Sequence, residues 1–168
     1  MFFTIIKGSY TKALLVIDIE GCLHYASLGN HDTMLKSEMY QYFRKLKIPI
    51  DSVPDPVPPK VETTIRCYDQ VLESPLIPVD IKVKLRGTPL QLKVWKQLMR
   101  TSNTLSYKEL ANQVGSNGIR AVASAVGANK IAIIVPCHRV LNSKGKNTGY
   151  RWGMPIKDKL LQLERVSV

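Results

Sequence analysis

Residues Ile131–Val140 read IAIIVPCHRV. The first five are aliphatic and no charge interrupts them, a pattern that predicts a short strand, Ile131–Val135, buried on both faces. Pro136 ends such a strand because it has no amide hydrogen for the next ladder bond. Cys137, His138 and Arg139 follow at once, so a soft nucleophile, a proton-transfer group and a permanent cation are expected where a buried strand stops.

Outward from that stretch, 168 residues with a 45% hydrophobic share can fill one large domain or two small ones. No run approaches the roughly 18 apolar residues of a membrane span. The opening MFFTIIKG has no small-residue cleavage site of the secretory kind, so an intracellular protein with no membrane partner is expected. Cys22, Cys67 and Cys137 fall in no C-x-x-C pattern, which predicts free thiols. His24 and His31 lie near Cys22 but too loosely for a zinc signature, and neither a metal nor another cofactor is expected.

Charge divides the chain. Residues 1–85 hold 10 Lys/Arg against 10 Asp/Glu, whereas residues 86–168 hold 14 against 3, so the whole net charge of +11 is C-terminal. A neutral half joined to a basic half points to a polyanion, most often nucleic acid, as the partner of the second.

Residues 1–85 read as a small α+β domain. Phe2–Lys7, Lys12–Ile19 and Cys22–Leu28 are β-rich runs separated by Gly8-Ser9 and Glu20-Gly21, the grammar of an antiparallel meander. A helix is predicted over Asp32–Lys47, with Asp32 as its N-cap and Leu35, Met39, Tyr42, Phe43 and Leu46 on one face. The proline-dense 49–59 segment is an extended connector. A second helix, Lys60–Glu73, and a strand, Ile77–Leu85, complete the half.

Residues 86–168 read as mostly helical. Thr88-Pro89 is an N-cap followed by proline at the first helical position, opening a helix to about Thr101 with Leu92, Trp95, Leu98 and Met99 inward. Ser106 and Glu109 have capping-box spacing for a helix to Val114. Gly115-Ser116-Asn117 is a turn, and Gly118–Gly127 is a second short helix, so the pair forms a helix-turn-helix candidate. That second helix carries one long polar side chain, Arg120, and otherwise Ala121, Ala123, Ser124 and Ala125. Such a face either packs in a core or fits a groove without reading bases. Asn142–Lys146 is a turn-rich basic loop, Tyr150 and Trp152 flank Arg151, and Pro155 opens a last helix, Ile156–Glu164, with Ile156, Leu160, Leu161 and Leu163 inward.

A thiol with an ordinary pKa of about 8.5 is a poor nucleophile at neutral pH until a base assists it. On an extended backbone the ring of His138 points away from the neighbouring sulfur, which favours a bridge through water over direct contact. Glu164, the only acidic residue after Asp158, could orient that ring from the final helix.

PCHRV after an aliphatic run, SYKELA and IRAVASAV before it, and Asn129 eight residues ahead of Cys137 together resemble the O6-alkylguanine-DNA alkyltransferases. The resemblance covers roughly Gly87–Glu164; ASLGN and TGYRW look most like fungal members. It implies DNA repair by direct reversal: one irreversible transfer of an alkyl group from O6 of guanine, with O4 of thymine a second candidate, onto Cys137. It also implies His138 as the water-linked base, Glu164 as its partner and Tyr107 as proton donor to the guanine ring and stabiliser of the flipped nucleotide's phosphate. Arg120 is implied as the wedge that fills the vacated stack, and Ala121, Ala123 and Ser124 as the face against the DNA. Asn129, Val140, Tyr150 and Arg151 are implied around the substrate pocket, Asn129 as the hinge of the active-site backbone.

The partner so implied is double-stranded alkylated DNA approached from the minor groove, by a monomer in the nucleus, with no cofactor. Trp152 and Ala132 depart from residues found in relatives; the change at Ala132 removes a flat wall and makes a weaker reaction with free benzylated guanine an expectation. The alternative function is a lesion-binding module without transfer, in which another residue stands where this chain has Cys137.

Overall fold

The computed structural model of the chain describes residues 1–145 and 149–166. Lys146 of the basic loop and Thr148 of TGYRW lie outside them. Contacts divide the chain into two compact units, Met1–Lys84 and Leu85–Val168.

The first unit is a four-stranded sheet with two helices. Strands β1 (Phe2–Lys7), β2 (Lys12–Ile17) and β3 (Leu23–Gly29) form the expected antiparallel meander, and a two-residue β4 (Asp51–Ser52) adds to β1 in parallel, giving the order β3-β2-β1-β4. Helix α1 (Asp32–Lys45) sets Leu35, Met39 and Phe43 against Phe3, Leu14, Val16 and Tyr25. Alternate residues of a strand face opposite sides. Ala13, Leu15 and Ile17 are therefore on the other face of β2, where they are also fully buried, and helix α2 (Pro59–Glu73) contacts that strand.

Two expectations for this unit fail for identifiable reasons. Asp32 is not a cap: His31 holds that position with no side-chain bond, and the Asp32 carboxylate pairs with Lys12 at 2.8 Å instead. Ile77–Leu85 forms no strand among the described residues, only a bridge from Val83 to Leu23, with backbone bonds between Leu23 and both Lys82 and Lys84. Its alternation supports one pairing, not a ladder.

Among its described residues the second unit has one pair of two-residue strands besides its helices, β5 (Leu105–Ser106) and β6 (Val140–Leu141), which lie parallel. Helix α3 (Pro89–Met99) begins at a complete capping box: Thr88 Oγ1 accepts from the Gln91 amide and the Gln91 side chain accepts from the Thr88 amide. Its inward residues are Val94, Trp95 and Leu98; Met99, the last residue of the helix, is exposed, contrary to expectation. Helix α4 (Tyr107–Gln113) starts at Ser106, whose Oγ accepts from the Glu109 amide at 3.0 Å. Gly115 then takes φ +70°, a left-handed conformation cheap for glycine, and α5 (Ile119–Gly127) follows. The indole N–H of Trp95 donates to the Ala125 carbonyl at 2.8 Å, tying α3 to α5.

The largest correction concerns Ile131–Val135, which is not a strand. The chain turns back on itself there, with a bridge between Ala132 and Val135 and an Ile134 amide bond to the Ala132 carbonyl at 2.8 Å. Ile133, at the centre of that γ-turn, has φ +71°, an unfavourable setting for a β-branched residue. Pro136 forms a second, inverse γ-turn (φ −81°, ψ 62°), closed by the Cys137 amide on the Val135 carbonyl at 2.8 Å. Cys137–Arg139 is a 3₁₀ turn. Helix α6 (Met154–Val166) closes the unit with Lys157, Leu160, Leu161 and Glu164 buried; Ile156 and Leu163 are only half-buried.

Replacing Trp95 with Phe removes the bond to Ala125 and leaves a cavity between α3 and α5. Trp95→Phe should lower unfolding stability by about 2 kcal/mol, read as a lower denaturant midpoint. A change below about 0.5 kcal/mol would show that the tie carries little of the packing.

Candidate active site

Asn129 organises the backbone that carries Cys137. Fully buried just after α5, it donates from Nδ2 to the carbonyls of Ile131 (3.2 Å) and Val135 (3.0 Å) and to Cys137 Sγ (3.2 Å), and accepts the Ile131 amide on Oδ1 at 2.9 Å. An amide has two hydrogens for those three acceptors. The side chain thereby bridges both ends of the strained 131–135 turn and reaches the sulfur.

Cys137 is 5% exposed, and burial pushes its thiol up to about 11. Asn129, the charge of Lys157, the surrounding backbone and the Tyr150 hydroxyl pull the other way without overcoming that cost. The resting sulfur is a thiol. Any reaction at it must remove a proton as the new bond forms.

His138 is fully buried. Its Nε2 lies 2.6 Å from Glu164 Oε1, while Nδ1 is buried without a hydrogen-bond partner among the described residues. Burial holds the imidazole below its usual range, against the opposing pull of Glu164. Glu164 is kept ionised by the His138 and Arg139 donors despite its own burial. A neutral ring facing an ionised carboxylate carries its proton on Nε2. Because Cys137–Arg139 is a 3₁₀ turn and not an extended segment, adjacency alone does not set the ring's direction; the Glu164 bond does.

A cleft of about 100 Å³, several times what one water needs, opens beside the sulfur. It is lined by Tyr107, Ala123, Val126, Gly127, Cys137, Gly149, Tyr150 and Arg151. Tyr107, Ala123, Tyr150 and Arg151 were legible in the sequence; Val126, Gly127 and Gly149 were not. Asn129 and Val140 are both buried and are not among the residues lining this cleft. Ala132, fully buried in the turn, is not a wall of this cleft either. Burial raises the Tyr107 hydroxyl above its usual range, with Cys137 adding to the effect, so it keeps its proton at neutral pH.

Helix α5 presents Arg120, Ala121, Ser124 and Gly127 to solvent, while Val122, Ala125 and Val126 face inward. It is a surface helix with small side chains, not a core helix. The residue that sequence reading missed is Lys157. Only 1% exposed, it donates from Nζ to the carbonyls of Val140 (2.8 Å) and Gly149 (3.0 Å), so one buried ammonium ties a cleft-lining glycine to the residue that follows Arg139. Its spacing, three and four residues before Leu160 and Leu161, puts it on the inward face of α6, but its residue type reads as solvated.

One further group of possible metal ligands exists in the first unit. Asp18, Cys22 and His24 place their ligand atoms within 4.8 Å of one another. Asp18 already accepts from the amides of Glu20 and Cys22 and lies 2.8 Å from His24 Nε2, the pattern of a satisfied turn.

Fold and site together define a class: a helical domain with a helix-turn-helix built around a buried cysteine. The family model described as 6-O-methylguanine DNA methyltransferase, DNA binding domain, matches residues 89–166. The chain is 40% identical over 177 residues to the methylated-DNA–protein-cysteine methyltransferase of Debaryomyces hansenii, covering 98% of this chain and 91% of that protein. It is 36% identical to that of Candida albicans, covering 100% and 98%. Among solved structures, Mycobacterium tuberculosis OGT in complex with DNA superimposes with TM-score 0.76 at 29% identity, covering 99% of this chain and 94% of that one. The chain belongs to the methylated-DNA–protein-cysteine methyltransferase family.

Both members of the His138–Glu164 pair have their pKa lowered in the folded protein, so the unfolded chain binds protons more readily. Their contribution to stability is present above the unfolded values and is lost as pH falls. Thermal unfolding should move to lower temperature as pH drops below the ordinary imidazole value of 6.5, and further below the carboxyl value of 4.5. A melting temperature flat from about pH 8 to pH 4 would contradict these directions.

Proposed function

We propose that this protein repairs alkylated DNA by taking the alkyl group from O6 of guanine onto Cys137. The sulfur attacks the alkyl carbon, a carbon–sulfur bond forms, and the bond from that carbon to guanine O6 breaks. Guanine leaves with its oxygen restored as a carbonyl once N1 is protonated. The observation that carries the reading is the pairing of a protonated, buried Cys137 with a neutral His138 whose free Nδ1 can take the thiol proton through a bridging water. Glu164 stabilises the imidazolium that results. Tyr107, on the cleft wall, is the proton donor to the departing base.

Methyl transfer from DNA to a protein cysteine is the family's activity. Here the atoms balance without a cofactor, because the sulfur supplies the electron pair and the lesion carries its own leaving group. The thioether is not reversed by thiol exchange, so each molecule acts once.

The reacting base must leave the duplex to reach the cleft, at a cost of a few kcal/mol. Ala121, Ala123 and Ser124 allow α5 to approach a minor groove closely, and Arg120, exposed at the start of that helix, occupies the vacated stack. A monomer suffices, since every group named lies on one unit. A genomic DNA substrate supports reading the protein as nuclear, in keeping with its likeness to proteins of Debaryomyces hansenii and Candida albicans.

Intact mass after incubation with a duplex containing O6-methylguanine should rise by one methyl group, mapped to Cys137 and lost in Cys137→Ser. Lesion binding with unmodified Cys137 would favour the binding-module alternative. Arg120→Ala should slow repair of duplex about tenfold, equivalent to about 1.4 kcal/mol, while leaving reaction with the free modified base nearly unchanged. Equal losses on both substrates would remove Arg120 from the wedge role.

A further inference from the structure

One oxygen of Glu164 serves two donors. His138 Nε2 lies 2.6 Å from Oε1, and Arg139 Nε donates to the same atom at 2.9 Å. A terminal nitrogen of Arg139 also donates to the Thr101 carbonyl just beyond α3. Arg139 is 7% exposed, so its cation is removed from water to make these contacts, at a cost that a loop anchor alone would not need to meet. Asn129 already fastens the backbone on the other side of Cys137.

The geometry of the shared oxygen gives the guanidinium a second effect. A buried carboxylate facing a lone imidazole draws a proton onto the ring and leaves it unable to act as a base. When a permanent cation occupies the same oxygen, part of the carboxylate's field is already met, and a second proton on the ring is opposed by the neighbouring charge. We propose that Arg139 is a positioning residue that keeps His138 a neutral, available base by sharing Glu164 Oε1 with it. The assignment rests on the reading of Cys137 as acceptor and His138 as its base.

The charged groups facing His138 are few. Glu164 and Lys157 approach from α6, and Arg139 from the same 3₁₀ turn; Glu164 favours the imidazolium and both cations oppose it, as does burial. Lys157 is committed to the Val140 and Gly149 carbonyls. Arg139 alone among the described cations bonds the carboxylate oxygen that holds the ring.

The test follows the rate of methyl transfer to Cys137 against pH, in the full chain with duplex substrate. In Arg139→Met the acid limb should move to higher pH, with a several-fold loss at neutral pH that shrinks under alkaline conditions. Arg139→Lys, which keeps the charge, should retain the parental profile. An unchanged limb in Arg139→Met, or a loss by the same factor at every pH, would reduce Arg139 to a structural anchor and overturn the proposal. Should Arg139→Met not fold, ring nitrogen shifts of His138 in the parental protein decide. A neutral ring with its proton on Nε2 at neutral pH is expected, and an imidazolium there overturns the proposal. Because that measurement needs no transfer, it also separates the two readings: a parental protein that never methylates Cys137 defeats the acceptor assignment, whatever the ring's state.

Discussion

Burial of one sulfur is the constraint to which the second unit answers. Taken out of water, the Cys137 thiol rises to about 11 and gains little as a nucleophile from its neighbours. The same burial favours a neutral His138, so one physical cause pushes toward a proton on the acid and none on the base. That polarity suits a reaction in which the proton moves only as the bond forms, and protects the thiol from side reactions beforehand. The cost is a carboxylate, a guanidinium and an ammonium all held inside a small helical unit. Each is matched by hydrogen bonds: Glu164 to His138 and Arg139, Arg139 to Thr101, Lys157 to two carbonyls.

The backbone around the sulfur explains what sequence could and could not say. An aliphatic run ended by proline has the composition of a buried strand, and every residue of Ile131–Val135 except the half-buried Ile134 is indeed buried. Yet burial does not determine the dihedral angles. The Asn129 side chain captures the Ile131 and Val135 carbonyls, and two γ-turns replace the extended chain. Ile133 at φ +71° is a conformation that local preference argues against, held by contacts from residues before and after it. Deviations of this kind cluster where a side chain must be aimed, and here the residue aimed is Cys137.

Elsewhere, legibility followed the locality of the signal. Thr88 and Ser106 were readable as caps because a cap bonds three residues along the same chain. Asp32 was misread because its partner, Lys12, lies on a strand 20 residues away. The α+β class, the meander and the helix-turn-helix all rest on short-range periodicity and were recoverable. Of the site residues, Cys137, His138 and Glu164 declared themselves by chemical type. Lys157 did not, since a lysine on an amphipathic helix reads as solvated until its two carbonyl partners are known. Val126, Gly127 and Gly149 line the cleft through shape, which leaves no mark in residue chemistry.

Single use relaxes a requirement that shapes most active sites. An enzyme that turns over must release product, which favours an exposed site and a mobile wall. On the proposed reaction the alkyl group stays on Cys137 and only the repaired base departs with the DNA. The sulfur can then sit at 5% exposure, and Gly149 on the cleft wall can be held by Lys157, without a penalty in rate of release. The demand shifts to bringing the base in. On the same proposal that task would fall to the half of the chain that carries the entire net charge and to the small-residue face of α5, whose alanines and serine would permit close approach at any sequence. On the proposed reaction, a buried acceptor and a small-residue DNA-facing helix would be two consequences of the same stoichiometry.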